Sequence, residues 1–528
     1  MFNSLRNRLA KIKHKEYDNI DGDSNGQGHT AQGDKTPNSQ EDVCLETFSP
    51  KAEGTEDTQE LRPVSDTFTV EQAVDAIGFG KFQVKLFFVA GLAWVCDAME
   101  MMLLSVLGPA LRCEWNLQTW EEALITTVVF IGMSISSWMW GSMCDKYGRK
   151  TTLITSSMFV FHYGLLSTFS PSLIWIWILR GLVGFGIGGA PQAVTLYSEF
   201  LPSTFRAKGL VLFEMFWAAG TCIEVALAVI VMPTLGWRWL LGLSSVPVLI
   251  FILACLWLPE SARYEMTNGR HDVAYAIIER IAKDNNKPMP QGKLIHAGSV
   301  NPEQVEVKRG RVQDLFTPDL RITTIILLGL WFSSSFCYYG IALLTTELFD
   351  EENPCYSSVG QKVQESGCFL DCKMLTTKDY LDLLWTTVAE FPGQIITLLA
   401  IDYLGRKKTI ALDFFVFSVF VLLVCTCPSR TVLIVFIFVA RAFISGAFQA
   451  CYVYTPEVYP TTTRAIGLGV CSGMSRIGAM ITPFVAQVLL RTSIYIPVSI
   501  YGGISIVTTI AALLLPIETK GREMKDTH

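Results

Sequence analysis

The sequence predicts an all-α membrane protein whose twelve transmembrane helices form two pseudo-symmetric six-helix bundles. Three observations carry this reading: scarce charge, twelve long apolar runs, and an internal repeat. Of 528 residues, 50% are hydrophobic and only 17% are charged, against about 25% in a typical soluble protein. Apolar runs recur near 84–107, 122–142, 151–169, 173–195, 209–232 and 239–258, then near 322–344, 380–402, 409–427, 431–454, 465–490 and 494–516. Each suffices to span a bilayer, which takes roughly 20 apolar residues for about 30 Å of hydrocarbon. Twelve such runs do not fit a soluble core.

The repeat supplies the two-bundle arrangement. Asp145-Lys146-Tyr147-Gly148-Arg149-Lys150 recurs as Asp402-Tyr403-Leu404-Gly405-Arg406-Lys407, 257 residues later. Glu199-x-x-Pro202-x-x-x-Arg206 recurs 258 residues later as Glu457-x-x-Pro460-x-x-x-Arg464. The Pro259-Glu260-Ser261-Ala262-Arg263 stretch is echoed around Glu518, again shifted by 258. Arg180, in span four, has a counterpart in Arg441. Motifs that hold one register across half a chain imply two bundles related by an axis along the membrane normal.

Charge sorts the loops. Lys146, Arg149 and Lys150 follow span two, Arg206 and Lys208 follow span four, and Arg406, Lys407 and Lys408 follow span eight. The opposite loops carry few basic residues, so the positive-inside rule places both termini in the cytosol. The chain then divides into a mostly disordered N-terminal tail (1–80), a first bundle (81–258), a cytosolic linker (259–321) with a helical stretch at Val273–Lys283, a second bundle (322–516) holding a non-cytosolic loop (345–379), and a short C-terminal tail (517–528). No signal peptide is expected at the start. Residues 1–15 alternate apolar and basic residues at helical spacing. They read equally as an amphipathic surface helix or as a basic disordered tail.

Fourteen cysteines divide by compartment. Most fall inside spans, where they pack. Cys113, Cys355, Cys368 and Cys372 fall on the oxidising side and are the candidate disulfide formers, with three pairings open if all are bridged.

The ionisable residues inside spans point to function. A charge at a helix centre costs about 2.5–3.5 kcal/mol even on the lenient insertion scale. Asp97 and Glu100 stand three apart and share one face of span one. Two carboxylates that close do not both ionise cheaply, which suits a proton or a cationic group. Glu214 and Glu224 lie in span five, Glu390 in span eight and Arg476 in span eleven, while Tyr338 and Tyr339 offer aromatic faces in span seven. For each charge the alternative is a structural ion pair between helices.

The paired motifs closely resemble the major facilitator superfamily over roughly residues 75–520, and most of all its sugar-porter and organic-ion branch. Gly78-Phe79-Gly80-Lys81-Phe82-Gln83, Asp97-Ala98-Met99-Glu100-Met101-Met102 and the Arg180–Gly189 stretch are similar to its synaptic-vesicle members. Unlike the glycoproteins among those members, this chain has a seven–eight loop of only about 35 residues and no Asn-x-Ser/Thr acceptor. The resemblance implies a transporter working by alternating access, with a cytosolic gate made of Asp145, Arg149, Lys150, Arg180, Glu199, Arg206, Glu260 and Arg263 in one half and Asp402, Arg406, Lys407, Arg441, Glu457, Arg464 and Glu518 in the other. Arg476 is similar to the position where anion carriers hold Arg, and Glu390 to a Glu of cation carriers, which favours an organic anion or zwitterion moved with or without a proton. Vesicle residence and a monomeric transport unit follow from the same resemblance.

The sequence contains no Walker motif and no metal-spaced His/Cys cluster. ATP-driven pumping is therefore unsupported. No enzyme activity, cofactor or nucleic-acid partner is expected. A transporter fold serving as a receptor, with little flux, remains the second reading.

Overall fold

The computed structural model describes residues 67–295, 311–350 and 375–520. Within them the chain is helical, as the bilayer requires: with no water to satisfy backbone groups, a span bonds its own. The first half comprises helices Lys81–Trp115, Thr119–Tyr147, Arg149–Ser167, Leu173–Glu199, Ser203–Phe213 running on as Met215–Val231, and Trp237–Ala254. The second comprises Arg321–Asp350, Thr377–Leu404, Arg406–Leu423, Arg430–Val458, Thr461–Pro483 with a π-turn at Phe484–Val488, and Tyr495–Leu513.

Ten of these are long and apolar enough to cross a membrane by length and composition alone. The other two are Arg149–Ser167, which is rich in Thr and Ser and starts with Arg149 and Lys150, and the fifth span, which is interrupted at Glu214. Twelve spans in two halves make the fold. Spans one, two, four, seven, eight and ten overrun their apolar runs, most of all span one, which extends over 35 residues, whereas spans six and twelve are shorter than theirs.

Apolar side chains face outward as well as inward. Trp138, Ile230, Leu256 and Val507 are each more than 60% exposed, as a lipid-facing surface requires. Polar groups such as Glu100, Glu224, Arg180 and Arg441 are buried instead.

Helices approach closely at glycines, and the pairs of spans that meet there repeat between halves. A Cβ at Gly184 would overlap the Val129 carbonyl of span two, and one at Gly393 the Ala442 carbonyl of span ten. Likewise Gly220 meets the Val95 carbonyl of span one, and Gly478 the Phe332 carbonyl of span seven. Such small-residue contacts drive helix association in lipid. Alanine at Gly184 or Gly393 must push two backbones apart, so each is expected to destabilise the protein by roughly 1–3 kcal/mol. Thermal unfolding of the purified variants checks this, with Gly141→Ala, where the added Cβ meets no described atom within 4 Å beyond its own helix backbone and chain neighbours, as the neutral control.

The two halves meet through spans two and eleven and through spans five and eight. The end of the segment expected as tail is structured. Thr67–Phe68 pairs in parallel with Lys293–Leu294 of the linker, and helix Val70–Ile77 follows. The linker carries helices Ala262–Thr267 and His271–Asp284, the second close to the expected stretch. Asn285 Oδ1 accepts from the Phe82 N–H at 2.9 Å, capping span one. The 1–15 segment, Cys355, Cys368 and Cys372 lie outside the described residues.

Candidate functional site

Two buried ion pairs sit within the spans. Arg180 Nη1 reaches Glu100 Oε2 at 2.9 Å, both side chains 1% exposed, and Arg180 Nε donates to Ser167 Oγ at 3.3 Å. Arg441 Nη2 reaches Glu390 Oε1 at 2.8 Å. Arg180 and Arg441 thus lie inside the spans, away from the other residues expected to form a gate at the span ends. Each neutralises a carboxylate that hydrocarbon would not tolerate alone.

Glu100 thereby leaves Asp97, despite the shared helix face. Positions three apart on a helix diverge by about 60°, from 3.6 residues per turn. That is enough to turn one toward the bundle interior and leave the other at a cavity wall. Glu224 accepts from Ser244 Oγ at 2.9 Å inside the first half and is structural.

Between the halves lies a cavity of about 110 Å³ lined by Asp97 and Glu214 from the first half and by Tyr338, Tyr339 and Arg476 from the second. Five of the eight candidate residues thus meet at one cavity, while Glu100, Glu224 and Glu390 do not line it. Asp97 is 8% exposed and makes no hydrogen bond or ion pair among the described residues. Glu214 accepts from Trp94 Nε1 at 3.2 Å. Arg476 Nη1 donates to the Met133 carbonyl at 3.1 Å and to Ser137 Oγ, so its partners are neutral.

Aromatic rings close the walls: Trp94, Trp217, Phe130, Phe448 and Tyr452. Trp217 Nε1 donates to the Tyr338 hydroxyl at 2.7 Å, and that hydroxyl donates to Glu390 at 3.0 Å. One chain of bonds therefore runs from the first half to the Glu390–Arg441 pair. The sequence reading missed the two tryptophans, along with Gln394 and Ser475 of the lining. Polar Gln and Ser inside apolar runs were the available signal.

At the linker end the two motifs build the same device twice. Arg149 Nε meets Glu199 at 3.3 Å and Nη1 meets Asp145 at 3.9 Å, while Arg406 Nε meets Glu457 at 3.0 Å. Gly148 (φ 98°) and Gly405 (φ 88°) turn the chain sharply between spans. The helix starts that follow receive carboxylates. Glu260 accepts from the Arg149 and Lys150 N–H groups at 2.8 and 3.2 Å, and Glu518 from those of Arg406 and Lys407 at 2.9 and 3.3 Å. Negative charge at a helix N-terminus is favoured by its free N–H groups and dipole.

Lys407 Nζ donates to the Leu515 carbonyl at 2.7 Å, and Arg206 to that of Leu201 at 3.4 Å. Among the described residues, Arg464 Nε has no hydrogen-bond partner. Arg263, also expected in the gate, pairs with Glu71 of the N-terminal helix. All these pairs lie within one half.

The ion pair that joins the halves, among the described residues, lies at the opposite end. Arg112 of span one meets Glu347 of span seven at 3.0 Å and Glu122 of span two at 3.2 Å. Arg491, at the end of span eleven, meets Glu347 as well. The sequence reading passed over all four. At the same end Cys113 and Cys427 are each disulfide-bonded. Cys427 was expected inside span nine. The helix stops short of it, and the chain turns there at φ 50°.

The sequence matches two family models, Sugar (and other) transporter over residues 85–359 and Major Facilitator Superfamily over residues 383–527. It is 53% identical over 521 residues to Synaptic vesicle 2-related protein of Xenopus laevis, covering 98% of this chain and 92% of the relative. It is 38% identical to Organic cation/carnitine transporter 7 of Arabidopsis thaliana, covering 87% and 96%. The xylose transporter XylE from E. coli, in an inward-open conformation, superposes with a TM-score of 0.62 at 15% identity, over 84% of this chain and 98% of that one. That likeness bears on the fold.

Proposed function

Because the chain belongs to the major facilitator superfamily, we propose that it is a secondary transporter that moves a small organic anion or zwitterion by alternating access, with a proton as the candidate co-transported ion. The observation that carries this reading is the cavity between the halves, where Arg476 faces in without a carboxylate partner and Asp97 and Glu214 face in from the other half. A guanidinium with only neutral partners recognises a carboxylate by charge-assisted bonds. The Asp97 and Glu214 carboxylates, flanked by Trp94 and Trp217, accept either a proton or an ammonium group. The name of the Arabidopsis relative, an organic cation/carnitine transporter, is in keeping with such a solute.

In this reading the linker and both termini are cytosolic, following the basic residues at that end. The Asp145 and Asp402 motif networks form the cytosolic gate. One chain is one transport unit. The membrane is that of an intracellular vesicle, in line with the name of the synaptic vesicle relative.

The test is uptake by the purified chain in liposomes, with labelled anions and zwitterions supplied across an imposed pH difference. Accumulation that collapses when the pH difference is removed supports the reading. Solute binding by thermal shift with no uptake would instead favour the receptor role.

A further inference from the structure

Spans eight, nine and ten of the second half enclose a polar interior that the proposed function leaves unused. Asp413 of span nine is 1% exposed. Its Oδ2 accepts from Thr397 Oγ1 of span eight at 3.2 Å, while its Oδ1 is buried with no hydrogen-bond partner among the described residues. Gln394 stands three residues before Thr397, on the same face of span eight. Its Nε2 donates to Ser445 Oγ of span ten at 3.3 Å, and its Oε1 is likewise buried without a partner among the described residues. Ser445 precedes Gly446, where an added Cβ would overlap Thr397 Oγ1 and stand 3.3 Å from Asp413 Oδ2. Any larger residue at 446 would therefore fill this interior.

The first half fills the corresponding interior with rings. In the 257-residue register, Trp140, Ser156 and Gly189 stand where Thr397, Asp413 and Gly446 stand. A Cβ at Gly189 would likewise meet Ser156 and the Trp140 indole. Trp140 packs edge-on against Phe159 and Phe185, and its Nε1 donates to the Phe185 carbonyl at 2.6 Å. The counterparts of those two phenylalanines are Val416 and Ala442. Where the first half has three rings and a serine, the second half has small side chains and a carboxylate.

We propose that this interior binds one sodium ion, held by the Asp413 carboxylate, Thr397 Oγ1, Gln394 Oε1 and Ser445 Oγ. A lone carboxylate inside a span is costly, and one positive charge cancels it. The atoms on offer are all oxygens, which suit a hard ion rather than a soft metal. A divalent ion on one carboxylate would leave a net charge in the membrane interior, so the site suits a monovalent one. The close approach of span ten at Gly446 favours sodium over the larger potassium. The site stands apart from the transporter reading. Gln394 and Ser445 also line the central cavity, so the bound ion fixes part of its wall; that consequence does rest on the transporter reading.

Equilibrium binding of radiolabelled sodium to the purified full chain tests the site with no solute present. Wild type should bind about one ion per chain, saturating at roughly millimolar sodium, with potassium competing at least about tenfold more weakly. Asp413→Asn keeps the shape and removes the charge, and should weaken binding roughly 10- to 100-fold. Gln394→Ala should weaken it about tenfold, which decides the matter if Asp413→Asn does not fold. A wild-type chain that binds no sodium saturably overturns the inference. Undiminished binding in Asp413→Asn or Gln394→Ala also overturns it, as does binding lost in Asp97→Asn but kept in Asp413→Asn, which would place the ion in the central cavity. Sodium binding by a chain that takes up no solute in liposomes would count against the transporter reading and leave the site standing.

Discussion

Arg180→Gln is expected to lower the stability of the protein by about 3–5 kcal/mol, the range for stripping one partner from a buried ion pair. The cause is specific to its surroundings. Glu100 is 1% exposed, and its ion-pair partner is Arg180. Without the guanidinium, the carboxylate must take a proton or draw in water. Thermal unfolding of the purified protein measures the loss. The double variant Glu100→Gln with Arg180→Gln removes both charges and should recover most of it, because the cost lies in the orphaned charge rather than in the missing attraction. Arg441→Gln should cost less than Arg180→Gln, because the Tyr338 hydroxyl still donates to Glu390. Equal losses at the two sites would show that the hydroxyl contributes nothing.

Arg476→Gln should weaken binding of an anionic or zwitterionic solute by roughly 10- to 100-fold, the equivalent of the ~1.5–3 kcal/mol that a hydrogen bond to a charged group supplies. An uncharged solute of similar size should bind the variant within about twofold of wild type, because it makes no charge-assisted bond there. The comparison of the two solutes separates recognition from damage. Glutamine can still donate to the Met133 carbonyl and to Ser137, which hold Arg476 in place. A variant that lost both solutes equally would assign Arg476 to joining the halves rather than to the solute.

The sequence revealed the architecture more fully than the site. The repeat around Gly148 and Gly405 fixed the register of the halves because a tight turn with positive φ, followed by a helix start that needs an acidic partner, leaves a local signature. That signature includes Glu260 and Glu518, whose carboxylates do cap the helix starts. The rotation of each helix about its own axis leaves no such trace. Asp97 and Glu100 look equivalent along the chain, yet one lines the cavity and the other is bound to Arg180, because that choice depends on what the neighbouring span presents. Arg112 and Glu347 were unreadable for a related reason. They are 235 residues apart, and a charge near a span end has the same composition whether it faces lipid headgroups or another half. Cys427 escaped because a run of apolar residues continues past the point where its helix ends.

The bond between Trp217 and Tyr338 does two jobs with one pair of atoms. It is part of the cavity wall, and it is also a rivet between the halves. A solute that wedges between those rings removes the rivet and must supply its own adhesion in return. Filling and sealing are then one event, drawn from a single store of contact energy. On the proposed transport function, an empty chain would be held shut by its own aromatic and hydroxyl groups, and a loaded chain by its cargo. A molecule too small to touch both walls would break the seal without replacing it. In a carrier of this design, leakage is governed by fit, and selectivity arises at the moment of closure as much as at the moment of binding.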